Sequence, residues 1–345
     1  MKRALVLATN VFQPLVAVAK AAEAAGFYRL WTTESTPRDA IVRAVTLGLH
    51  TREIRVATGI AYAFTRAPVA MAAAAADAHI ATGGRFALGL GAGTKGMRTR
   101  RYGIDDFDHA GSRLGDYADL LRAVWAAEDG LAYEGPFYQA KIPGRLRSVE
   151  LDGLPPIEVV GSGVNEVMLR LSARHCNGVA LHPLVSLLGY LDDVALPAIA
   201  SSGRPDGTRP WIAAWRVTSV ADDEAEARRR ARTNLAFYFT TPSYRRVTEG
   251  TRWEPVTTLV RERFRADPAM SFDELAGLVP DEMVDDFCLV GTPGSLPGRV
   301  AELERELGRR GVTELVFQVA GVGLAAEQYV RACHTIVDNV GRAAA

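Results

Sequence analysis

The chain has 345 residues, 48% hydrophobic and 23% charged, which are ordinary values for a globular protein and enough for two average domains or one large α/β barrel. Lys plus Arg and Asp plus Glu are 40 each, so the cationic footprint of a nucleic-acid binder is absent. No apolar run approaches the ~18 residues of a membrane span, and the first residues lack the cleavage site and long apolar core of a secretory signal, which together imply a cytoplasmic protein.

Taken in chain order, strand and helix patterns alternate. "RALVLAT" (Arg3–Thr9) is a short apolar run, and Pro14–Gly26 has an early Pro, a 3.6-residue apolar face and a terminal Gly, the end signals of a helix. Strand Phe27–Glu34 and helix "RDAIVRAVTLGLHT" follow, then strand "EIRVATGIA" and the Ala-rich helix "APVAMAAAAADAHIATGG". "RFALGLGAG" is the fourth strand, and "SRLGDYADLLRAVWAAE" carries Leu114, Tyr117, Leu121 and Val124 on one helical face. "YEGPFYQ" places Tyr133, Phe137 and Tyr138 in a turn-rich hairpin. "PIEVVGSG", helix "VNEVMLRLSARHC", "GVALHPL" and "PWIAAWRVTSVA" complete strands five to seven. "DDEAEARRRARTNLAFYF" is a helix whose Glu224/Arg228 and Glu226/Arg230 pairs read as a solvated outer face. A helix from Ser295 and strand "TELVFQVAG" close the series, and the irregular stretch at about 240–286 reads as an inserted helical segment. Eight nearly all-apolar strands alternating with helices imply an α/β fold, a (β/α)8 TIM barrel with insertions, as one domain over residues 1–345.

The stretch "GGRFALGLGAGTKG" contains G-x-G-x-x-G at Gly91, Gly93 and Gly96. A dinucleotide fingerprint requires those glycines to open a helix at once, with an acidic residue ending a second strand ~20 residues on. "MRTRRYGIDDFDHAGSRLGDY" offers neither, and Met97 stands where a P-loop has Lys. In a barrel the same glycines end a strand on the catalytic face. Bare backbone there admits a flat or phosphorylated ligand, with Thr94 adding a hydroxyl, or simply relieves crowding. Thr58-Gly59-Ile60 and Gly161-Ser162-Gly163 end two further strands, the latter running into a helix as an anion site would.

Other candidates are sparse. Cys176, Cys288 and Cys333 lack disulfide or zinc spacing and read as small buried hydrophobes. The six histidines include no H-E-x-x-H pattern; His182, ending the sixth strand, is best placed to face a pocket, whereas His79 and His175 read as packed or exposed within helices. "DDFDH" (Asp105–His109) lacks the Gly and Glu of a calcium loop, and no metal site is expected.

"GFYRLWTTE", "ATGIAYAFTRAP", "GGRFALGLGAGTKGMRTRRYG", "YEGPFY", "PPIEVVGSG" and "VPDEMVDDFCLVGTP" occur in the order found in the bacterial-luciferase-like superfamily. The chain most resembles its coenzyme F-420-dependent members, of the methylene-tetrahydromethanopterin reductase kind. The resemblance implies a barrel binding a deazaflavin (F-420), or alternatively FMN, across the carboxyl face. Gly59-Ile60 matches the family's bulge after strand three, often a cis peptide, where Ile60 would back the ring. Ala92, Gly93 and Thr94 match the segment approaching ring and tail, and Gly161, Ser162 and Gly163 match the phosphate site. Lys95 and Arg98 would meet the anionic tail or be plain surface. The family's Asp-His pair after strand two is replaced by Glu34 and Ser35, leaving Glu34 as the acid/base candidate, unless it pairs with Arg38 or Arg66. Relatives also carry an acidic residue and Trp where this chain has Arg100 and Arg101.

The implied activity is F-420-dependent hydride transfer to or from a small organic substrate. One alternative is an FMNH2-dependent monooxygenase fed by a flavin reductase partner; another is a non-catalytic flavin-binding barrel. Family habit implies a homodimer through outer helices.

Overall fold

The computed structural model describes all residues except Asp106, Leu146 and residues 342–345, and only the main chain of Arg145. Its strands are β1 (Lys2–Leu7), β2 (Arg29–Thr32), β3 (Arg55–Thr58), β4 (Ala61–Tyr62), β5 (Phe86–Gly91), β6 (Asp129–Glu134), β7 (Gln139–Arg145), β8 (Glu158–Gly163), β9 (Gly178–Leu181), β10 (Trp211–Val220), β11 (Cys288–Gly291) and β12 (Glu314–Val319). The eight strands read from the sequence are β1, β2, β3, β5, β8, β9, β10 and β12, and helices alternate with them in the order of a (β/α)8 barrel fold.

The chain packs as two compact units. In the unit formed by Arg29–Ala180 and Leu196–Trp211, strands run in the order β2-β3-β5-β8-β9. They pair in parallel register, Trp31 with Ala57, Val56 with Phe86 and Leu88 with Val159. Every residue of β2 and β5 is buried, as expected of parallel strands covered on both faces. The helix Ala40–Leu49 starts where the Asp39 carboxylate accepts the Val42 amide, and the Ala-rich helix Pro68–Ala81 buries Met71, Ala72, Ala75 and Ala78. Strands β6 and β7 form a separate antiparallel hairpin in the expected place.

The other unit contains Met1–Tyr28, Leu181–Ala195 and Ile212–Ala345, with strand order β11-β10-β12-β1, also parallel. The stretch at 240–286 is helical as expected: Arg245–Thr248, Glu254–Ala266, Phe272–Ala276 and Asp281–Phe287. Strand β11, helix Ala326–Val340 and the helical turns of Leu188–Ala195 were not anticipated. Strand β11 follows the last insert helix without a break, so its four apolar residues read as a helix end. Helix Ala326–Val340 closes the unit by burying Tyr329, Cys333, Ile336 and Val340. The Glu224–Arg228 and Glu226–Arg230 pairs form, but the face is more than solvated: Arg228 also reaches Asp285 and Arg229 reaches Asp273 on the insert helices. Cys176, Cys288 and Cys333 are free thiols, all buried.

Candidate functional site

In the Arg29–Ala180 unit, the carboxyl ends of three neighbouring strands change character at the residues singled out from sequence. Thr58, Gly91 and Gly161 are buried, and the next residues, Gly59 and Ile60, Ala92 to Thr94, and Ser162 and Gly163, become partly accessible. The result is a ledge of small residues at the end where (β/α)8 enzymes carry their sites. The Gly59–Ile60 peptide is cis, as the resemblance implied. It is held on both sides: the Gly59 amide donates to Thr32 O at 2.7 Å, and Ile60 O accepts the Glu34 amide at 3.3 Å. Among the described residues, the amides of Gly93 and Thr94 find no acceptor within the chain, so two consecutive donors stand at the ledge.

The glycines are needed first for packing. A Cβ on Gly91 would lie 1.9 Å from Ile60 Cδ1 and 2.8 Å from Ser162 Oγ, so absence of a side chain there is what brings Ile60, Gly91 and Ser162 together. A Cβ on Gly89 would lie 1.8 Å from Thr58 O, and on Gly161 2.5 Å from Ser172 Cβ. The crowding explanation therefore accounts for Gly89, Gly91 and Gly161, and the partly accessible residues are their neighbours. Gly93 alone needs glycine's conformational freedom, with φ at +65°.

The hydroxyls are committed. Thr58 is fully buried and both donates to Gly89 O and accepts the Gly89 amide, each at 2.8 Å. Ser162 Oγ donates to Leu90 O, and Thr94 Oγ1 accepts the Met97 amide as the cap of a helix, Lys95–Arg101. That helix corrects one ground against the dinucleotide fingerprint, since the glycines do lead into a helix. The other ground stands: the next strand is β6, antiparallel and beginning only at Asp129. Gly163 does not run straight into its helix either; Asn165 caps it by accepting the Met168 amide, and Glu166 puts a negative charge in its first turn.

Arg98 is not a surface cation. It is buried, donates to Gly93 O at 2.9 Å and stacks over Phe107 at 4.8 Å, so it braces the ledge from below. Lys95, Arg100 and Arg101 are the exposed cations of that helix.

Glu34 is buried at the end of β2, and one nitrogen of Arg66 donates to both its carboxylate oxygens, at 2.9 and 3.0 Å. The other terminal nitrogen of Arg66 donates to Asp39 at 2.6 Å. Burial raises the Glu34 carboxyl above the ordinary carboxylate range, and Arg66 pulls against it. Tyr62 donates to Glu34 O at 3.1 Å, and its phenol is pushed up to about 12 by burial, so it remains protonated. Of the two expected partners of Glu34, the carboxylate takes Arg66.

Sequence reasoning missed Asp116. Its carboxylate accepts Tyr133 Oη at 2.6 Å and the amides of Phe137 and Tyr138 at 2.7 and 2.9 Å, tying the β6–β7 hairpin to helix Ala110–Ala126. The Asp at an otherwise apolar helix position was the available signal. His79 is buried between the carbonyls of Phe86 and Pro155, and His175 bonds Asp119 at 2.8 Å, so both are structural. Of the Asp105–His109 stretch, Asp106 lies outside the described residues. In the other unit, His182 follows β9 and stacks on Tyr244.

The family model for luciferase-like monooxygenases matches residues 2–311. A 5,10-methylenetetrahydromethanopterin reductase of Archaeoglobus fulgidus is 27% identical over 305 residues, 86% of either chain. Among solved structures, the coenzyme F-420-dependent tetrahydromethanopterin reductase of Methanopyrus kandleri superposes with TM-score 0.77 at 19% identity, covering 98% of both chains. The oxygenating constituent of 3,6-diketocamphane monooxygenase of Pseudomonas putida, in complex with FMN, gives 0.67 at 17% identity, covering 99% of this chain and 98% of that one.

Proposed function

Because the chain belongs to the luciferase-like monooxygenase family, and so is an oxidoreductase of the luciferase-like class, we propose that it binds coenzyme F-420 on the ledge of β3, β5 and β8 and transfers a hydride between the deazaflavin and a small organic substrate. The observation that carries this reading is the ledge itself: at the carboxyl ends of β3, β5 and β8 the buried residues give way to the partly accessible Gly59-Ile60, Ala92-Gly93-Thr94 and Ser162-Gly163. A flat ring can lie against the Ile60 side chain, with Gly91 offering no atom to obstruct it. The two open amides of Gly93 and Thr94 can donate to the cofactor's oxygens, and Lys95, Arg100 and Arg101 form a cationic rim suited to a polyanionic tail. When bound, the deazaflavin supplies hydride chemistry at its ring carbon five.

The chain's own contribution is orientation and proton control. Ile60 backs one face of the ring and excludes water from it. Glu34 is the acid/base candidate: its carboxyl holds a proton to higher pH than an exposed glutamate, and Arg66 fixes its direction. The F-420-dependent relatives favour this reading. The FMN-bound neighbour supports a second one, an FMNH2-dependent monooxygenase on the same ledge served by a separate reductase. A homodimer accords with Val42 and Leu49, seven residues apart on one helix and more than 60% exposed; sedimentation checks it.

The test is equilibrium binding of the purified protein to F-420 and to FMN, each oxidised and reduced, followed by fluorescence. Micromolar binding of F-420 without FMN supports the proposal. Binding of reduced FMN alone transfers it to the monooxygenase, and binding of neither overturns both.

A further inference from the structure

In the Arg29–Ala180 unit, a groove of 390 Å³ lies between the segment after β4, the first turn of helix Ala110–Ala126 with the residues before it, and the β6–β7 hairpin. That volume falls within the ~300–1,000 Å³ of small-molecule sites. Phe64, Ile104, Phe107 and Tyr138 give it apolar and aromatic walls, and Arg66 and Arg113 give it charge; all six are partly accessible. Among the described residues, no carboxylate lines it.

The walls are fixed from behind. Phe64 meets Phe107 edge-on at 4.9 Å. The fully buried Tyr117 meets Phe64 and Tyr138 edge-on at 6.4 and 5.6 Å, and its hydroxyl donates to Arg66 O at 3.0 Å. The Asp116 carboxylate holds the Tyr138 amide at 2.9 Å. The Arg113 guanidinium lies 4.8 Å over the rings of both Phe107 and Phe137, while its Nε donates to Asp108 O at 3.3 Å. Side chains held in this way lose little freedom when a ligand arrives. Their donors are not used up. Among the described residues, the terminal nitrogens of Arg113 and the hydroxyl of Tyr138 have no hydrogen-bond partner. Nor has Nε of Arg66, whose terminal nitrogens serve Glu34, Thr65 and Asp39.

We propose that this groove binds a small aromatic carboxylate, its ring against Phe64 and Phe107 and its carboxylate on Arg113, with Tyr138 and Arg66 in support. A bare inorganic anion would engage the guanidinium groups and leave the aromatic walls wet. A neutral arene would cover the walls and leave Arg113 unused. An aryl carboxylate does both, and its two oxygens match the forked edge of a guanidinium. Stacking on Phe107 and Phe137 presents that fork in a fixed orientation. The site is distinct from the ledge: none of its lining residues belongs to Gly59-Ile60, Ala92-Gly93-Thr94 or Ser162-Gly163, and the inference does not depend on which cofactor those segments hold. Arg66 joins the two regions, because the guanidinium that lines the groove also holds the Glu34 carboxylate.

The probe is 2-naphthoate, with its methyl ester as the uncharged control. Titration calorimetry of the wild-type protein should give micromolar binding of the acid, with the ester at least about tenfold weaker, a difference of ~1.4 kcal/mol. Arg113→Gln should lose at least that factor for the acid and leave the ester unchanged. Arg113→Lys, which restores the charge without the fork, should recover part of the loss, and Phe64→Leu should weaken acid and ester alike. Nuclear Overhauser contacts from the naphthoate protons to the rings of Phe107 and Tyr138 should place the ligand. Should Arg113→Gln not fold, the acid–ester difference in the wild type and those contacts decide the matter. No binding of the acid by wild type, an ester that binds equally well, unchanged affinity in Arg113→Gln, or contacts to other rings alone overturns the proposal. Displacement of naphthoate by F-420 also overturns it, because the groove would then be part of the cofactor site.

Discussion

The two ends of the parallel strands in the Arg29–Ala180 unit are built in opposite ways. At the amino ends, Arg29, which opens β2 and is 1% exposed, donates to Glu158, which opens β8, at 3.3 Å. Its guanidinium lies 4.5 Å over Trp211 and 5.2 Å over Trp31. Gly178 opens β9 without a side chain because a Cβ there would come within 2.3 Å of Trp211. Large rings and an ion pair pack that end. At the carboxyl ends the side chains shrink to Gly, Ala, Ser and Thr, and the backbone is left within reach. β3, β5 and β8 therefore combine a side-chain-filled amino end with a bare carboxyl end. The same residue type serves both: Gly178 admits a tryptophan of the chain, whereas Gly91 admits Ile60 beneath the partly accessible ledge.

Substitutions at each end test that division. The largest effect is expected midway, at Gly89→Ala, because the new Cβ would meet the main-chain oxygen of Thr58, which cannot rotate away. Denaturant unfolding should reveal a loss of about 3 kcal/mol or more. Arg29→Ala removes the ion pair and the stacking on two tryptophans, and should cost about 2–4 kcal/mol of stability while leaving F-420 affinity unchanged. A fall in affinity for this variant would break the comparison.

Gly91→Ala should do the reverse. The atoms it meets, Ile60 Cδ1 and Ser162 Oγ, are side-chain ends that can shift, so stability should fall less than in Gly89→Ala. F-420 binding should weaken at least about tenfold, or ~1.4 kcal/mol, because Ile60 is displaced. Unchanged binding would put the ring elsewhere.

Arg66→Gln gives the smallest effect and concerns protons. Folding raises the Glu34 pKa, so the native state retains a proton that the unfolded chain has lost, and stability falls as pH rises from the ordinary glutamate value to the elevated one. Removing Arg66 removes the influence that opposes burial. The fall should then extend to higher pH, and the pH midpoint of any Glu34-dependent cofactor signal should move upward. A downward move would show that Arg66 does not stabilise the carboxylate.

Much of this fold was legible because its signals are local. Apolar runs, Pro14 near a helix start and the i,i+4 charge pairs each depend on a few neighbouring residues, and eight strands followed from them. What failed was also local in origin. Cys288–Gly291 has too few residues to show a period, and the cap that the Thr94 hydroxyl provides for the helix Lys95–Arg101 was not read from the sequence. The strand-end glycines stood out, but whether each excludes its own chain or admits a ligand depends on atoms far along the sequence: Thr58 for Gly89, Ile60 for Gly91 and Ser172 for Gly161.

The sequence by itself determined the alternation of strand and helix, the burial of the parallel strands and the positions where the backbone would be bare. Those properties follow from side-chain period and size along a single segment. Only the tertiary structure decided that Arg66 rather than Arg38 holds the Glu34 carboxylate, that Arg98 turns inward to the Gly93 carbonyl, and that Asp116 anchors a hairpin. It also decided that the Leu184 amide donates to Nδ1 of His182, which leaves the ring hydrogen on Nε2. Charge and proton placement are set by partners converging in space, and separation along the chain carries no record of them.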